Sequence, residues 1–180
     1  MLTSLQKRKL IRYFNTLDDG AKGYLTEEDI YAVGLRMAEK KGVFEQTEEF
    51  KVIKENTNLI WTSALTNSVS GDPDKIYVLD WIAQHNAILT NDELTKTYLG
   101  KIGNDIFELF KHQDGNIYPK NYFELISCFG VDEAISNWAF KKLDVDSKGF
   151  FSKADYLRSV EEFFLVNDRY APGNYYFGPF

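Results

Sequence analysis

Twelve residues near the N-terminus, DDGAKGYLTEED at 18–29, and twelve near the C-terminus, DVDSKGFFSKAD at 144–155, follow one pattern 126 residues apart. Each begins and ends on Asp. Each carries Lys at its fifth position, Gly at its sixth, an aromatic residue at its seventh, an apolar one at its eighth and Thr or Ser at its ninth. Self-similarity at that separation marks a duplicated supersecondary unit. The Gly can take the positive φ of a sharp turn. The hydroxyl at the ninth position, with an acid three residues on, has the spacing of a capping box that opens a helix.

These offsets are those of the EF-hand, a helix, a twelve-residue calcium loop and a second helix. The flanks agree. Leu10, Tyr13, Phe14 and Leu17 form an i, i+3, i+4, i+7 stripe into the first loop, and Ile30, Val33 and Met37 form one leaving it. Two departures recur in both loops. Lys22 and Lys148 stand at the fifth position, where an oxygen ligand is wanted, and Asp29 and Asp155 close the loops in place of the longer, bidentate Glu. The candidate metal ligands are therefore Asp144, Asp146, the carbonyl of Phe150, Ser152 and Asp155. Loop one, with Gly20 at its third position, is the poorer site. Weak binding of calcium or magnesium is expected in loop four, the shorter Asp155 favouring magnesium.

Two readings of the lysines compete. Lys148 has a flexible stem, so its ammonium can turn outward and leave a water in its place. Alternatively, Lys22 and Lys148 are tethered cations, each pairing with the acids of its own loop and holding it folded without metal. Such a pair has on the order of 4 kcal/mol of Coulomb energy at about 4 Å and an effective dielectric near 20, but exposed pairs net about 0 to 1. Asp29 and Asp155 can also cap their helices without touching metal.

Between the loops the helical period dominates. Phe50, Ile53, Ile60, Trp61 and Ala64 predict a helix over about 47–67, and Val78, Trp81, Ile82, His85 and Leu89 predict the next. If Asp80 is the twelfth residue of the intervening loop and Ile76 the eighth, the first is Val69, which offers no side-chain oxygen. A third unit spans 106–126, where Asp114, Gly115 and Ile117 keep the loop centre, but counting back from Ile117 puts Phe110 first, so the loop is one residue short. Neither loop should bind calcium. The expected fold is all-α and compact, with four EF-hand units in two packed pairs. Residues 1–90 form the N-terminal pair, 91–103 a linker helix and 104–168 the C-terminal pair. The aromatic tail at 169–180 should pack on the body, because an exposed one would be a liability.

A net charge of −6 and a pI near 5.0 argue against non-specific nucleic-acid binding, which needs a basic surface. No apolar run reaches the roughly 18 residues of a membrane span, and the first ten residues lack the core of a secretory signal. A cytoplasmic protein is expected. The single cysteine, Cys128, reads as a small buried hydrophobe. His85 and His112 lie apart and lack zinc-site spacing.

KRKLIRYFNTLD before the first loop, the Asp80–Trp81 pair after the second and the terminal APGNYYFG together resemble the sarcoplasmic calcium-binding protein family. Within it the chain is most similar to the insect branch that includes juvenile hormone diol kinases. The resemblance implies hands arranged around a hydrophobic interior, bound calcium or magnesium in some relatives and an apolar small-molecule ligand in others. It also implies an alternative, a magnesium-dependent phosphotransferase using ATP or GTP on a terpenoid diol. The residues themselves supply no G-x-x-x-x-G-K-S/T phosphate loop. DSKG (146–149) and SKAD (152–155) lie inside loop four, which already explains them, and no catalytic residue is identified. The aromatic content, with Trp61, Trp81 and Trp138, suits either plain core or an apolar ligand site.

Overall fold

The computed structural model describes residues 1–180. Most helices start at a Thr, Ser, Asn or Asp cap. Helix α1 (Ser4–Leu17) opens on a Thr3/Gln6 capping box, α2 (Glu27–Lys41) on Thr26 with Asp29, and α3 (Glu48–Thr66) on Thr47, whose hydroxyl accepts from the Phe50 N–H. Helix α4 (Val78–Leu89) follows the second loop. A helical run then continues from α5 (Asp92–Thr95) through a π turn (Lys96–Gly100) into α6 (Lys101–Phe110), so the expected linker and the entering helix of the third hand are continuous. Helices α7 (Pro119–Ser127), α8 (Glu133–Leu143) and α9 (Lys153–Leu165) complete the third and fourth hands.

The hands pair through their eighth loop residues. Strands β1 (Tyr24–Leu25) and β2 (Ile76–Tyr77) are antiparallel, with Leu25 opposite Ile76. Ile117 and Phe151 exchange backbone bonds of 2.9 and 2.8 Å in the same way. All four of these side chains are buried, so each loop pair is fastened to the core by an apolar residue that metal never touches.

The C-terminal tail closes the core from outside. Tyr122 Oη donates to the Tyr176 carbonyl at 2.7 Å, and the Tyr156 and Tyr176 hydroxyls lie 2.7 Å apart. Phe177 stacks on Tyr13 with centroids 4.7 Å apart and planes 12° from parallel. Lys9, fully buried, donates to the Glu162 and Val166 carbonyls at 3.0 and 2.8 Å and to Asn174 Oδ1 at 3.0 Å. It thereby caps the negative end of α9 and ties the tail to it. Burial, opposed by the charge of Glu162, lowers its pKa to about 8.

His85 is a core residue. Its Nδ1 donates to the Trp81 carbonyl at 2.8 Å, and its ring lies parallel to Phe164 at 5.8 Å. Cys128 is likewise buried, and burial raises its thiol pKa to about 11, away from thiolate chemistry. No helix is long and apolar enough to cross a membrane.

Candidate functional site: ion-paired loops and an apolar cavity

In loop four, Asp144 is spent on the backbone, accepting the Lys148 N–H at 3.0 Å and the Gly149 N–H at 2.7 Å. Asp155 Oδ2 accepts from the Ser152 N–H at 3.1 Å and the Ser152 hydroxyl at 2.6 Å, and it meets Lys148 Nζ at 2.5 Å. Arg158 takes the other oxygen, Asp155 Oδ1, at 2.8 Å. The Phe150 ring lies 5.6 Å from the Lys148 ammonium, and Asp146 is exposed with no ion pair. Of the five predicted ligands, the structure therefore joins Ser152 to Asp155, and Asp155 to Lys148 and Arg158. Nowhere in the chain do three or more His, Cys, Asp or Glu side chains converge at metal-holding distance.

Loop one repeats this arrangement, with its lysine alone in place of the lysine and arginine on the closing carboxylate. Asp18 accepts from the Lys22 and Gly23 N–H groups at 2.9 and 2.8 Å, and Asp29 accepts from the Thr26 N–H and hydroxyl at 2.7 and 2.9 Å. Lys22 Nζ reaches both Asp29 oxygens at 2.6 Å. Neither lysine turns outward to leave a water. The fourth position of each loop, Ala21 or Ser147, takes a positive φ of 53° or 54°, so the backbone path is shared as well. Burial pushes both closing carboxyls up, but bonds from the loop lysine and from the ninth residue outweigh it. The Asp29 pKa falls below the usual carboxylate range, and that of Asp155 falls to about 2.

Loop two has its own solution. The buried Asp80 accepts from the Ser68 and Ser70 hydroxyls and from the N–H groups of Val69, Ser70 and Tyr77, at 2.8 to 3.0 Å. In loop three, Asn121 Oδ1 takes the Tyr118 N–H at 3.1 Å. In all four loops the twelfth residue thus performs a capping task without an ion.

Sequence reasoning did not locate an apolar cavity that the fold creates. It has a volume of about 800 Å³ and lies between α2, α3 and α6. Ile30, Val33 and Met37 line it from α2, Val52, Ile53 and Ile60 from α3, and Ile102, Ile106 and Leu109 from α6; Tyr13, Leu17 and Phe129 also contribute. Phe177 supports this lining from behind, stacked on Tyr13 and edge-on to Phe129 at 5.1 Å. Lys41, Glu48, Glu49, Glu108 and Lys111 also line it, and one polar cluster is built around a buried residue, Asn56. Asn56 Nδ2 donates to Asp105 Oδ2 at 3.1 Å, and Lys101 Nζ donates to Asn56 Oδ1 and Asp105 Oδ2 at 2.8 and 2.9 Å. A buried Asn three residues after Ile53 and four before Ile60, inside an apolar stripe, is the signal that could have found it.

No model of a known protein family matches this chain, and no curated protein matches it either. Solved structures do match in fold. A calcium-binding protein from Streptomyces coelicolor aligns with a TM-score of 0.70 and 15% identity over 91% of this chain and 99% of its own. Apo-aequorin in complex with (S)-HM-daCTZ gives 0.73 and 16% over 98% and 91%. Okadaic acid binding protein 2.1 gives 0.68 and 18% over 99% and 97%. The fold is that of compact, all-α EF-hand proteins.

Proposed function

We propose that this protein is a cytosolic EF-hand-fold binder of an apolar small molecule, in which tethered lysines do the loop-bracing work that a metal ion does elsewhere. The observation that carries the proposal is the cavity between α2, α3 and α6. Its size falls within the roughly 300–1,000 Å³ of small-molecule sites, and its wall is mainly apolar, with a fixed polar cluster at Asn56 and Asp105. The similar folds named above include one complexed with a small organic molecule and one that binds okadaic acid, which supports a small-molecule role for this architecture.

Loop four remains the better place for a divalent ion, at Asp144, Asp146, the Phe150 carbonyl, Ser152 and Asp155, with weak affinity for calcium or magnesium. An ion entering there must displace Lys148 from Asp155. The phosphotransferase alternative needs the same acids to hold magnesium together, and their present partners disfavour it.

Titration with the neutral apolar dye Nile red tests the proposal. Saturable, one-to-one binding is expected, abolished by filling the cavity with Val33→Trp or, separately, Ile106→Phe while circular dichroism stays native. Failure to saturate, or binding that neither filled variant weakens, would overturn it.

A further inference from the structure

The cavity wall holds a single deep polar cluster, and its geometry is one-sided. Asn56 is only 8% exposed, and an amide so placed within an apolar helix face is costly unless it is bonded. Its Oδ1 is occupied by Lys101, and its Nδ2 holds Asp105 in position. The bonds from Asn56 and Lys101 both fall on Oδ2; the Asn104 side chain also faces the carboxylate, and the second oxygen, with two lone pairs, can still accept from another donor. Asp105 and Asn56 line the cavity, whereas Lys101 stands outside the lining and braces the pair from behind. At this cluster, therefore, the cation stands behind the wall while the acceptors sit in it.

The other charged groups of the lining do not supply a cation for a ligand acid. Lys111 pairs with Glu108, one turn away on the same helical run, and Glu108 is further bridged by Lys153 at 2.8 Å. Lys41 leans toward Glu124 at 3.7 Å and over the Phe110 ring at 5.3 Å. Glu48 and Glu49 stand exposed at the mouth. A carboxylate brought to Asp105 would meet like charge in a site of reduced dielectric, where repulsion between near neighbours is stronger than in water.

Building on the cavity reading above, we propose that Asp105, positioned by Asn56 and Lys101, is the specificity-determining group of the cavity. It selects apolar molecules whose head group donates hydrogen bonds, a hydroxyl or an ammonium, and rejects those ending in a carboxylate. A hydroxyl donates to Asp105 and can accept from the second Nδ2 hydrogen of Asn56. An ammonium uses Asp105 alone. Hydrogen bonds to a charged, partly desolvated acceptor are the strong ones, which makes this contact able to decide between ligands of equal apolar area.

The test is displacement of bound Nile red at neutral pH and about 0.15 M salt, where non-specific attraction to the acidic surface is screened. The probes are dodecan-1-ol, dodecylamine and dodecanoic acid, which share one apolar tail. In the native protein the alcohol and the amine should displace dye at concentrations at least about tenfold below the acid, a margin of about 1.4 kcal/mol. Asp105→Asn should collapse the ratio between alcohol and acid to near unity, and Asp105→Glu should retain most of it. An alcohol preference with no amine preference would assign the head group as a neutral hydroxyl. Equal displacement by all three probes, or a ratio that Asp105→Asn leaves intact, overturns head-group selection while the cavity reading stands. Nile red that never saturates the native protein overturns both.

Discussion

Lys148 Nζ lies 2.5 Å from Asp155 Oδ2 and Lys22 Nζ 2.6 Å from Asp29, so the fifth residue of each outer loop is ion-paired with its twelfth. In a metal-loaded EF-hand those two positions meet through the ion. Here they meet directly, through a cation that is covalently part of the loop. The pair joins the middle of the loop to the first turn of the exiting helix, which is the mechanical link that calcium otherwise makes.

Restoring the ligand set should restore the ion. Lys148→Asp combined with Asp155→Glu removes the internal cation and lengthens the closing carboxylate. Calorimetry should then show calcium affinity rising from weak to roughly the micromolar range of working EF-hand sensors. No gain from the double change would mean that the loop backbone, and not Lys148, keeps the ion out.

The architecture was legible because it rests on local signals. Ser/Thr caps, Gly at the turn and the apolar eighth residues each act within a few positions of themselves, and Leu25, Ile76, Ile117 and Phe151 all stand where the loop pairing needs them. The loop lysines stand out in the sequence, but the choice between turning outward and turning back to Asp155 depends on side-chain rotamers that no spacing encodes. The cavity was not legible. Its walls come from three helices distant in sequence, and Asn56 and Asp105 acquire meaning only once α3 and α6 lie side by side.

The two lysine pairs should differ in their effect on the cavity. Helix α2, which Asp29 caps and Lys22 braces, forms one wall of it, whereas α9, braced by Lys148, contributes no lining residue. Lys22→Ala should weaken Nile red binding severalfold and cost about 0–1 kcal/mol of stability, the range of partly exposed pairs. Lys148→Ala should lower the melting temperature slightly and leave dye affinity unchanged. An equal effect of the two variants on affinity would uncouple α2 from its loop.

Acid should destabilise the protein in two stages. Burial, only partly opposed by the bond to Trp81, lowers the His85 pKa to about 4 from an unfolded 6.5. As pH falls from 6.5 toward 4 the unfolded chain takes the proton first, so stability is lost there, by about 3 kcal/mol in the limit. Asp155 is depressed from 3.8 to about 2, so the stability it contributes is present above 3.8 and is lost as pH falls from 3.8 toward 2. Melting temperature against pH should therefore begin to fall near pH 6.5, and His85→Phe should flatten the upper stage alone. An unchanged upper slope in that variant would assign the proton to another group.

The most direct test of the internal-cation loops is thermal unfolding, followed by far-ultraviolet circular dichroism, in excess EDTA and again in millimolar calcium. An ion that binds only the folded state stabilises it by mass action, by about 2.7 kcal/mol at a hundred times its dissociation constant. If Lys22 and Lys148 supply the cation, helicity at room temperature and the melting midpoint should be nearly the same in both conditions. Cooperative loss of helix in EDTA, or a calcium-dependent rise in the midpoint of about ten degrees or more, would show that the loops depend on metal after all.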